Sequence, residues 1–142
     1  MSTLNVDALV GNTSANAITV RGEGSATTSL QQGLAKGWIN MNGVGTLSSR
    51  DSLNFSSFTD NAAANHTVNF SNNMGNNNYA TLQGVNDDPG AFGTLMFVEQ
   101  SNGSNYGAYI TTSSFKFRTG QNTSQAYVEV GTISMSMLGD LA

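Results

Sequence analysis

The sequence consists of short stretches in which apolar and polar residues alternate, separated by segments rich in Gly, Asn and Ser. A period of two places successive side chains on opposite faces of a β-strand. In residues 114–118 this pattern directs Phe115 and Phe117 inward and Lys116 and Arg118 outward. Charged residues make up only 10% of the chain, so long surface helices lack their usual residues. The sequence therefore predicts an all-β fold.

Regularly spaced strands with turn residues between them are typical of an antiparallel β-sandwich, here expected to be jelly-roll-like. Residues 53–58 and 66–70 should form a hairpin whose tip is residues 60–65. Residues 95–98 are apolar at every position, which indicates a central strand covered on both faces. The predicted strands of the main domain are residues 38–41, 46–48, 53–58, 66–70, 79–85, 95–98, 106–111, 114–118, 126–130 and 133–137.

The first 33 residues differ from the rest and are expected to form an N-terminal arm, followed by the sandwich domain at residues 34–142. Alternation in residues 4–8 and again in residues 18–20, around a turn at residues 11–16, predicts a hairpin. The Gly-rich segment at residues 22–33 is the best linker candidate. An isolated hairpin is marginally stable in water, so the arm should pack on the main domain, on a sister subunit or on another protein.

Composition excludes several classes of function. A net charge of -4 with scattered basic residues gives no basic footprint for nucleic acid. The absence of cysteine excludes disulfides and thiolate metal sites. No stretch approaches the roughly 20 apolar residues of a transmembrane helix, and residues 1–5 lack the features of a signal peptide. We therefore expect no membrane insertion.

The inventory of catalytic residue types is poor. The chain has one histidine, His66, which we expect to be an exposed or half-packed strand residue rather than a catalytic base. No Gly-x-Ser-x-Gly nucleophile elbow is present, and zinc ligands of the right type are too few. The Gly43-Val44-Gly45 segment lacks the third glycine of a dinucleotide-binding loop and is interpreted as a turn.

Glycosidase chemistry needs two carboxylates across a cleft. The acidic residues available in principle are Asp51, Asp60, Asp87, Asp88, Glu99 and Glu129. Residues 87–90, Asp-Asp-Pro-Gly, lack the alternating carboxylates of a calcium loop and are interpreted as a turn. The expectation is a protein without catalytic activity, metal or cofactor.

Surface chemistry is the remaining route to a function. Tyrosine rings and the many amides and hydroxyls suit weak contacts with sugars, although the same rings could simply pack in the core or at an interface. For Trp38 the packed interpretation is preferred. Binding residues tend to lie in loops, so contacts with glycan are expected at residues 60–65, 87–92 and 101–106. The tyrosines are Tyr79, Tyr106, Tyr109 and Tyr127.

A longer pattern lies in residues 34–70. A Lys-Gly-Trp-Ile-Asn-Met-Asn-Gly run at residues 36–43 is followed by Arg-Asp-Ser at residues 50–52 and Thr-Asp-Asn at residues 59–61. This combination resembles a module near the C-terminus of tail and virion proteins of marine tailed bacteriophages. The resemblance continues through an aromatic strand at residues 114–118, an aliphatic one near residues 125–130 and a final Gly-Asp. It covers residues 33–142, but residues 72–109 match only in kind.

The resemblance implies a non-enzymatic virion structural protein, assembled in the host bacterial cytoplasm. The first hypothesis is a homotrimeric tail-fibre or tail-tip subunit that contacts the host surface, with a surface glycan as the candidate ligand, while its arm binds other virion proteins. The alternative is a capsid decoration or head-fibre protein, which the lack of any heptad or collagen-like shaft sequence favours. A polysaccharide depolymerase is the third hypothesis, and the residue inventory disfavours it.

Overall fold

A computed structural model describes residues 3–14, 17–21, 24–86, 94–98, 109–121 and 126–142. Contacts divide the chain into two compact units, Met1–Leu34 and Ala35–Ala142. This boundary lies one residue later than the predicted one, which follows residue 33. The described residues contain no helix long and apolar enough to cross a membrane.

The larger unit contains two four-stranded antiparallel sheets that share one hydrophobic core. The first sheet has the strand order β4-β3-β10-β7, and the second has the order β5-β6-β9-β8. The prediction of an all-β sandwich is confirmed. A jelly roll also consists of two four-stranded sheets. In this sandwich the strand order includes two local hairpins, β3-β4 and β5-β6. The strands are β3 Ala35–Asn42, β4 Ser48–Leu53, β5 Phe55–Ala62, β6 Asn65–Phe70, β7 Ala80–Asn86, β8 Thr94–Val98, β9 Ser114–Gln121 and β10 Thr132–Leu138.

Alternate residues of the central strands build the core, as the period-two pattern predicted. Phe115 and Phe117 of β9 are fully buried and stacked, with ring centroids 5.9 Å apart. In the first sheet Met41 lies opposite Ile133 in the antiparallel register, and both are fully buried. Burying such a side chain contributes about 1.5–3 kcal/mol. The buried apolar residues of the core are Ile39, Met41, Val68, Phe70, Met74, Tyr79, Phe115, Phe117, Val130, Ile133, Met135 and Met137.

Asn54 makes the crossover between the two sheets. Residues 53–58 were predicted as one strand, but the chain turns at Asn54, whose φ is 64°. Leu53 therefore ends β4 and Phe55 begins β5. Asparagine tolerates this left-handed conformation better than most residues, and the Asn54 side chain binds the backbone on both sides of the crossover. Its Nδ2 donates to Lys36 O (2.9 Å) and Asn72 O (3.0 Å), and its Oδ1 accepts from Asn72 N (2.7 Å).

Three strand predictions are corrected. Among the described strands β8 pairs only with β9, so residues 95–98 lie on an edge strand and not on the central strand that was expected. Residues 126–130 form no strand, and Tyr127 makes only an isolated bridge to Gly120. Of the strand expected at residues 106–111, residues 106–108 lie outside the described residues, and Ile110 makes only a single bridge to Phe115.

The smaller unit contains β1 Thr19–Arg21, β2 Thr27–Ser29 and one helical turn, α1 Leu30–Gly33. Its hairpin pairs β1 with β2, so the hairpin predicted between residues 4–8 and 18–20 is wrong. The intervening loop is shorter in the observed pairing, which lowers the entropic cost of closure. Gly24, at φ 83°, lies within that loop, and the expected linker thus supplies the second strand.

Candidate binding surface

An exposed aromatic ring marks the outer face of the first sheet. Trp38 is 37% exposed, because Ile39 and Met41 occupy the inward positions of β3 and leave Trp38 on the opposite face. Trp38 is therefore not packed in the core of the chain, and its packing at an interface stays a prediction. The antiparallel register sets it opposite Leu53 of β4 and Ser136 of β10.

A row of side chains crosses the whole sheet at this level. Leu82 of β7 lies opposite Ser136 and is 60% exposed, and Leu53 is 49% exposed. We call Leu53, Trp38, Ser136 and Leu82 the Trp38 row. It places one indole ring between two exposed aliphatic side chains on an open sheet face.

A second, polar row runs parallel to the Trp38 row. It consists of Asp51, Asn40, Ser134 and Gly84, which lie opposite one another on β4, β3, β10 and β7. The two rows are two residues apart along each strand, or about 6.7 Å. Asn40 Nδ2 donates to Ser134 Oγ at 3.1 Å. A Cβ added at Gly84 would meet no atom within 4 Å, so the end of this row is open.

Arg50 fixes the orientation of Asn40. A register shift of β4 against β3 leaves Arg50 at a bulge, without a partner residue in the pairing. Its Nη1 donates to Asn40 Oδ1 (3.1 Å) and Met41 O (2.9 Å), and its Nη2 donates to Gly131 O (2.7 Å). The two segments that carry the phage resemblance are thus hydrogen-bonded to each other. The alternation of apolar and polar residues does not reveal bulges, so this contact could not be predicted from the sequence.

The second sheet presents a different outer face. Lys116 Nζ lies 5.3 Å from the centroid of the Tyr109 ring, and Arg118 Cζ lies 4.5 Å from that of Tyr127. A cation that lies over the face of an aromatic ring at such a distance is attracted to the ring. The Tyr127 residue is 59% exposed, but one face of its ring is covered by Arg118. In the described part of this face, two cations of β9 thus lie over tyrosine rings.

Tyr79 is a structural residue. Its side chain is buried, its ring meets Phe70 edge-on at 5.7 Å, and its hydroxyl donates to Thr111 O (3.1 Å) and Ser114 O (3.2 Å). Burial raises the pKa of the Tyr79 hydroxyl well above its usual value. It offers no surface to a sugar, and Tyr106 lies outside the described residues.

His66 is fully buried, so the expectation of an exposed or half-packed residue is wrong. It lies on the same face of β6 as Val68 and Phe70, as its even spacing from these two residues in the sequence already indicates. Its Nδ1 lies 3.6 Å from Asp60 Oδ1, and its ring meets Phe117 at 5.6 Å. Burial lowers the pKa of His66, and the charges of Asp60 and Glu129 partly offset this effect. Among the described residues neither ring nitrogen has a hydrogen-bond partner, so no hydroxyl is activated by it.

The candidate carboxylates do not gather around a common cleft in the described part of the chain. Asp51 lies on β4 of the first sheet and Asp60 on β5 of the second. Glu129 precedes β10, and its Oε2 accepts from Gly45 N at 3.4 Å. The other three acidic candidates, Asp87, Asp88 and Glu99, lie outside the described residues. Where the structure is described, no group of three or more His, Cys, Asp or Glu could hold a metal ion.

The expected glycan loop at residues 60–65 is mostly strand. Strand β5 continues to Ala62, and the turn is residues 63–64. The amide of Asn61 is used internally, since its Nδ2 donates to Thr67 Oγ1 at 2.9 Å. The other two expected loops, residues 87–92 and 101–106, lie outside the described residues.

The N-terminal unit has an apolar surface of its own. Leu4 and Val10 are 78% and 83% exposed. An open cavity of about 480 Å³ lies in this unit. Its apolar lining includes Val6, Leu9, Ile18, Leu30 and Leu34.

Comparisons of this chain with protein-family models, with curated protein sequences and with solved structures gave no match.

Proposed function

We propose that this chain is a non-enzymatic structural protein of a tailed-bacteriophage virion, a tail-fibre or tail-tip subunit that contacts the host surface. The observation that carries the proposal is the outer face of the first sheet, where Trp38 stands exposed beside the polar row. Asp51 is the one carboxylate on the described strands of this sheet, so they offer a ligand no pair of carboxylates. The resemblance of residues 33–142 to marine phage tail proteins supplies the biological setting.

The buried histidine supports a binding role over catalysis. A general base must reach the proton that it abstracts, and His66 is enclosed by the core. Of the acidic candidates that the structure describes, Asp51 lies on a strand of the first sheet and Asp60 on a strand of the second, whereas a depolymerase would use two carboxylates that face one cleft. The protein therefore holds its ligand without turnover.

A homotrimer attached by its N-terminal unit fits the apolar surface of that unit. A segment of 34 residues is too short to build a sufficient core alone, and exposed Leu4, Val6, Leu9 and Val10 can be buried against another virion protein. Repetition of a weak site on a particle raises avidity without new contacts.

A capsid decoration or head-fibre protein is the second candidate. The specific observation in its favour is that residues 1–34 contain a single helical turn, α1, and no heptad or collagen-like repeat. The same fold would then serve a structural role on the head.

Electron microscopy of intact particles tests the proposal. Antibody against residues 35–142, detected by gold labelling, should decorate the tail tip or its fibres. Labelling restricted to the head would select the decoration protein. Purified particles without any label, in a lysate that contains the protein, would reject a virion role altogether.

A further inference from the structure

We propose that the Trp38 row and the polar row together bind a neutral saccharide chain that lies across the strands of the first sheet. The inference rests on the proposed function, because it names the class of host-surface ligand. This site lies on a sheet face, whereas glycan contacts were expected in loops.

The Trp38 row supplies the apolar half of the site. One face of a pyranose ring is lined with C–H groups, and an exposed indole with a polar N–H is suited to stack on it. Leu53 extends this apolar strip next to the ring, and Leu82 lies on the other side, beyond Ser136. Adjacent strands are about 4.8 Å apart, a step comparable with the length of one hexose unit. Consecutive sugars could therefore contact consecutive strands.

The polar row fixes the orientation of the bound saccharide. An asparagine amide has two N–H donors, and Asn40 uses one of them on Ser134 Oγ, which leaves the other for a ligand. Asp51 accepts from Ser52 N through Oδ1 and is exposed, so Oδ2 can accept from a sugar hydroxyl. Because Arg50 holds Asn40 Oδ1, the donor of the amide is fixed in place before the ligand arrives.

Charge selects a neutral glycan. The only cation that contacts the polar row is Arg50, and its guanidinium is already engaged with Asn40, Met41 and Gly131 within the described structure. Asp51 adds a negative charge, and the chain as a whole is acidic, with a net charge of -4. Lys116 and Arg118 lie on the other sheet. Lys36 on β3 is the other cation of the described strands of this sheet, and it is only 6% exposed. A polyanionic glycan would therefore meet no cation there that is both exposed and not already engaged by the protein.

The single tryptophan makes the test direct, because all indole fluorescence of the chain comes from Trp38. The full chain is titrated with dextran, with mannan, with the neutral polysaccharide fraction of the host envelope and, as the acidic probe, with alginate. We expect a saturable change in emission with at least one neutral probe and none with alginate. Calorimetry with that probe should show at least tenfold weaker binding for Trp38→Ala.

Two variants separate binding from folding. In Gly84→Glu the added Cβ meets open space, so the fold should survive while the new carboxylate covers the end of the polar row and weakens binding at least fivefold. Tyr127→Ala, on the opposite sheet, is the matched control and should bind like the unmodified chain.

Two outcomes overturn the inference. One is the absence of any emission change with all three neutral probes. The other is an oligomer that Trp38→Ala and Gly84→Glu dissociate in light scattering without any glycan effect, which would make this face a contact between copies. In both cases particle labelling decides the proposed function separately. Conversely, saccharide binding by a protein that is missing from particles would retain this site and reject the virion role.

Discussion

His66 Nδ1 lies 3.6 Å from Asp60 Oδ1, across the β5-β6 pair, yet the imidazole is completely enclosed. Asp60 is the nearer acidic neighbour, and Glu129 acts from the segment that precedes β10. On β9, Phe117 lies opposite His66, with Lys116 and Arg118 on either side of it. Desolvation outweighs the two carboxylates, so the folded protein holds His66 neutral below its ordinary pKa.

Acid should therefore destabilise the protein through His66. The folded-state pKa lies below the unfolded value of 6.5, so the unfolded chain binds the proton first as pH falls. Stability contributed by the neutral imidazole is complete above pH 6.5 and declines below it, until the folded-state pKa is reached. Urea denaturation at pH 7.5 and 5.5 should show a lower free energy of unfolding at the acid pH.

Two variants identify the origin of that decline. His66→Leu should flatten the dependence over this range, because the chain has no second histidine. Asp60→Asn removes a charge that favours the imidazolium, so the loss of stability on acidification should become larger. A decline that is unchanged in His66→Leu would assign the effect to other groups.

Tyr79→Phe removes the hydroxyl that donates to Thr111 O and Ser114 O. The expected loss is about 1 kcal/mol of unfolding free energy at pH 7. Since the pKa of Tyr79 is raised in the folded state, stability should also fall as pH rises above 10 in the unmodified protein, and less so in the variant. Tyr127→Phe, at an exposed site, is the control and should be near neutral in denaturant melts at pH 7.

Asn54 combines a left-handed backbone with side-chain bonds on both sides of the crossover, and three variants separate the two contributions. Asn54→Gly keeps the conformation and loses the bonds, at a cost of about 1–3 kcal/mol. Asn54→Ala should cost about 1–2 kcal/mol more, since alanine is strained at positive φ. Asn54→Asp keeps Oδ1 as an acceptor for Asn72 N but cannot donate to Lys36 O. Equal stability of the glycine and alanine variants would show that the backbone strain is negligible.

Gly43 is required by packing at the turn after β3. A Cβ there would lie 2.6 Å from Ile133 Cδ1 and 2.8 Å from Val130 O. Gly43→Ala should lower stability by about 1–3 kcal/mol, because overpacking forces neighbours to move. Gly84→Ala meets open space and should be neutral or slightly stabilising in the same thermal melts. A tolerated Gly43→Ala would mean that this turn relaxes without cost.

Removal of residues 1–34 should leave the sandwich folded, since the larger unit holds its own core. Under the proposed function the truncated protein should no longer enter particles, while circular dichroism keeps its β signature. Light scattering of the full chain should give the mass of a trimer. Particles that carry the truncated protein at normal copy number would place the attachment elsewhere.

The alternation of residue types was sufficient to predict the inward residues of β9, Phe115 and Phe117, because burial acts on every second side chain. The same alternation places Trp38 on the outer face of its strand and His66 on the inner face. The size of the indole nevertheless suggested packing for Trp38, and the polarity of the imidazole suggested exposure for His66. In both cases the face of the strand was decided by its apolar neighbours, Ile39 and Val68.

Other features depend on the partner of each strand, which alternation does not specify. The pairing of β3 with β10 joins Met41 to Ile133 across most of the chain, and the bulge at Arg50 arises only once β4 is in register with β3. The polar row is a product of these registers. No single segment contains it.

The position of β10 between β3 and β7 has a consequence for synthesis. The hairpins β3-β4 and β5-β6 can form as soon as they leave the ribosome, whereas the first sheet lacks its central strand until residues 132–138 have been translated. Until then the unpaired edges of β3 and β7 remain open to other chains, and long-range pairing is slow. Nascent chains crowded on one messenger are therefore most vulnerable to association before β10 has been translated.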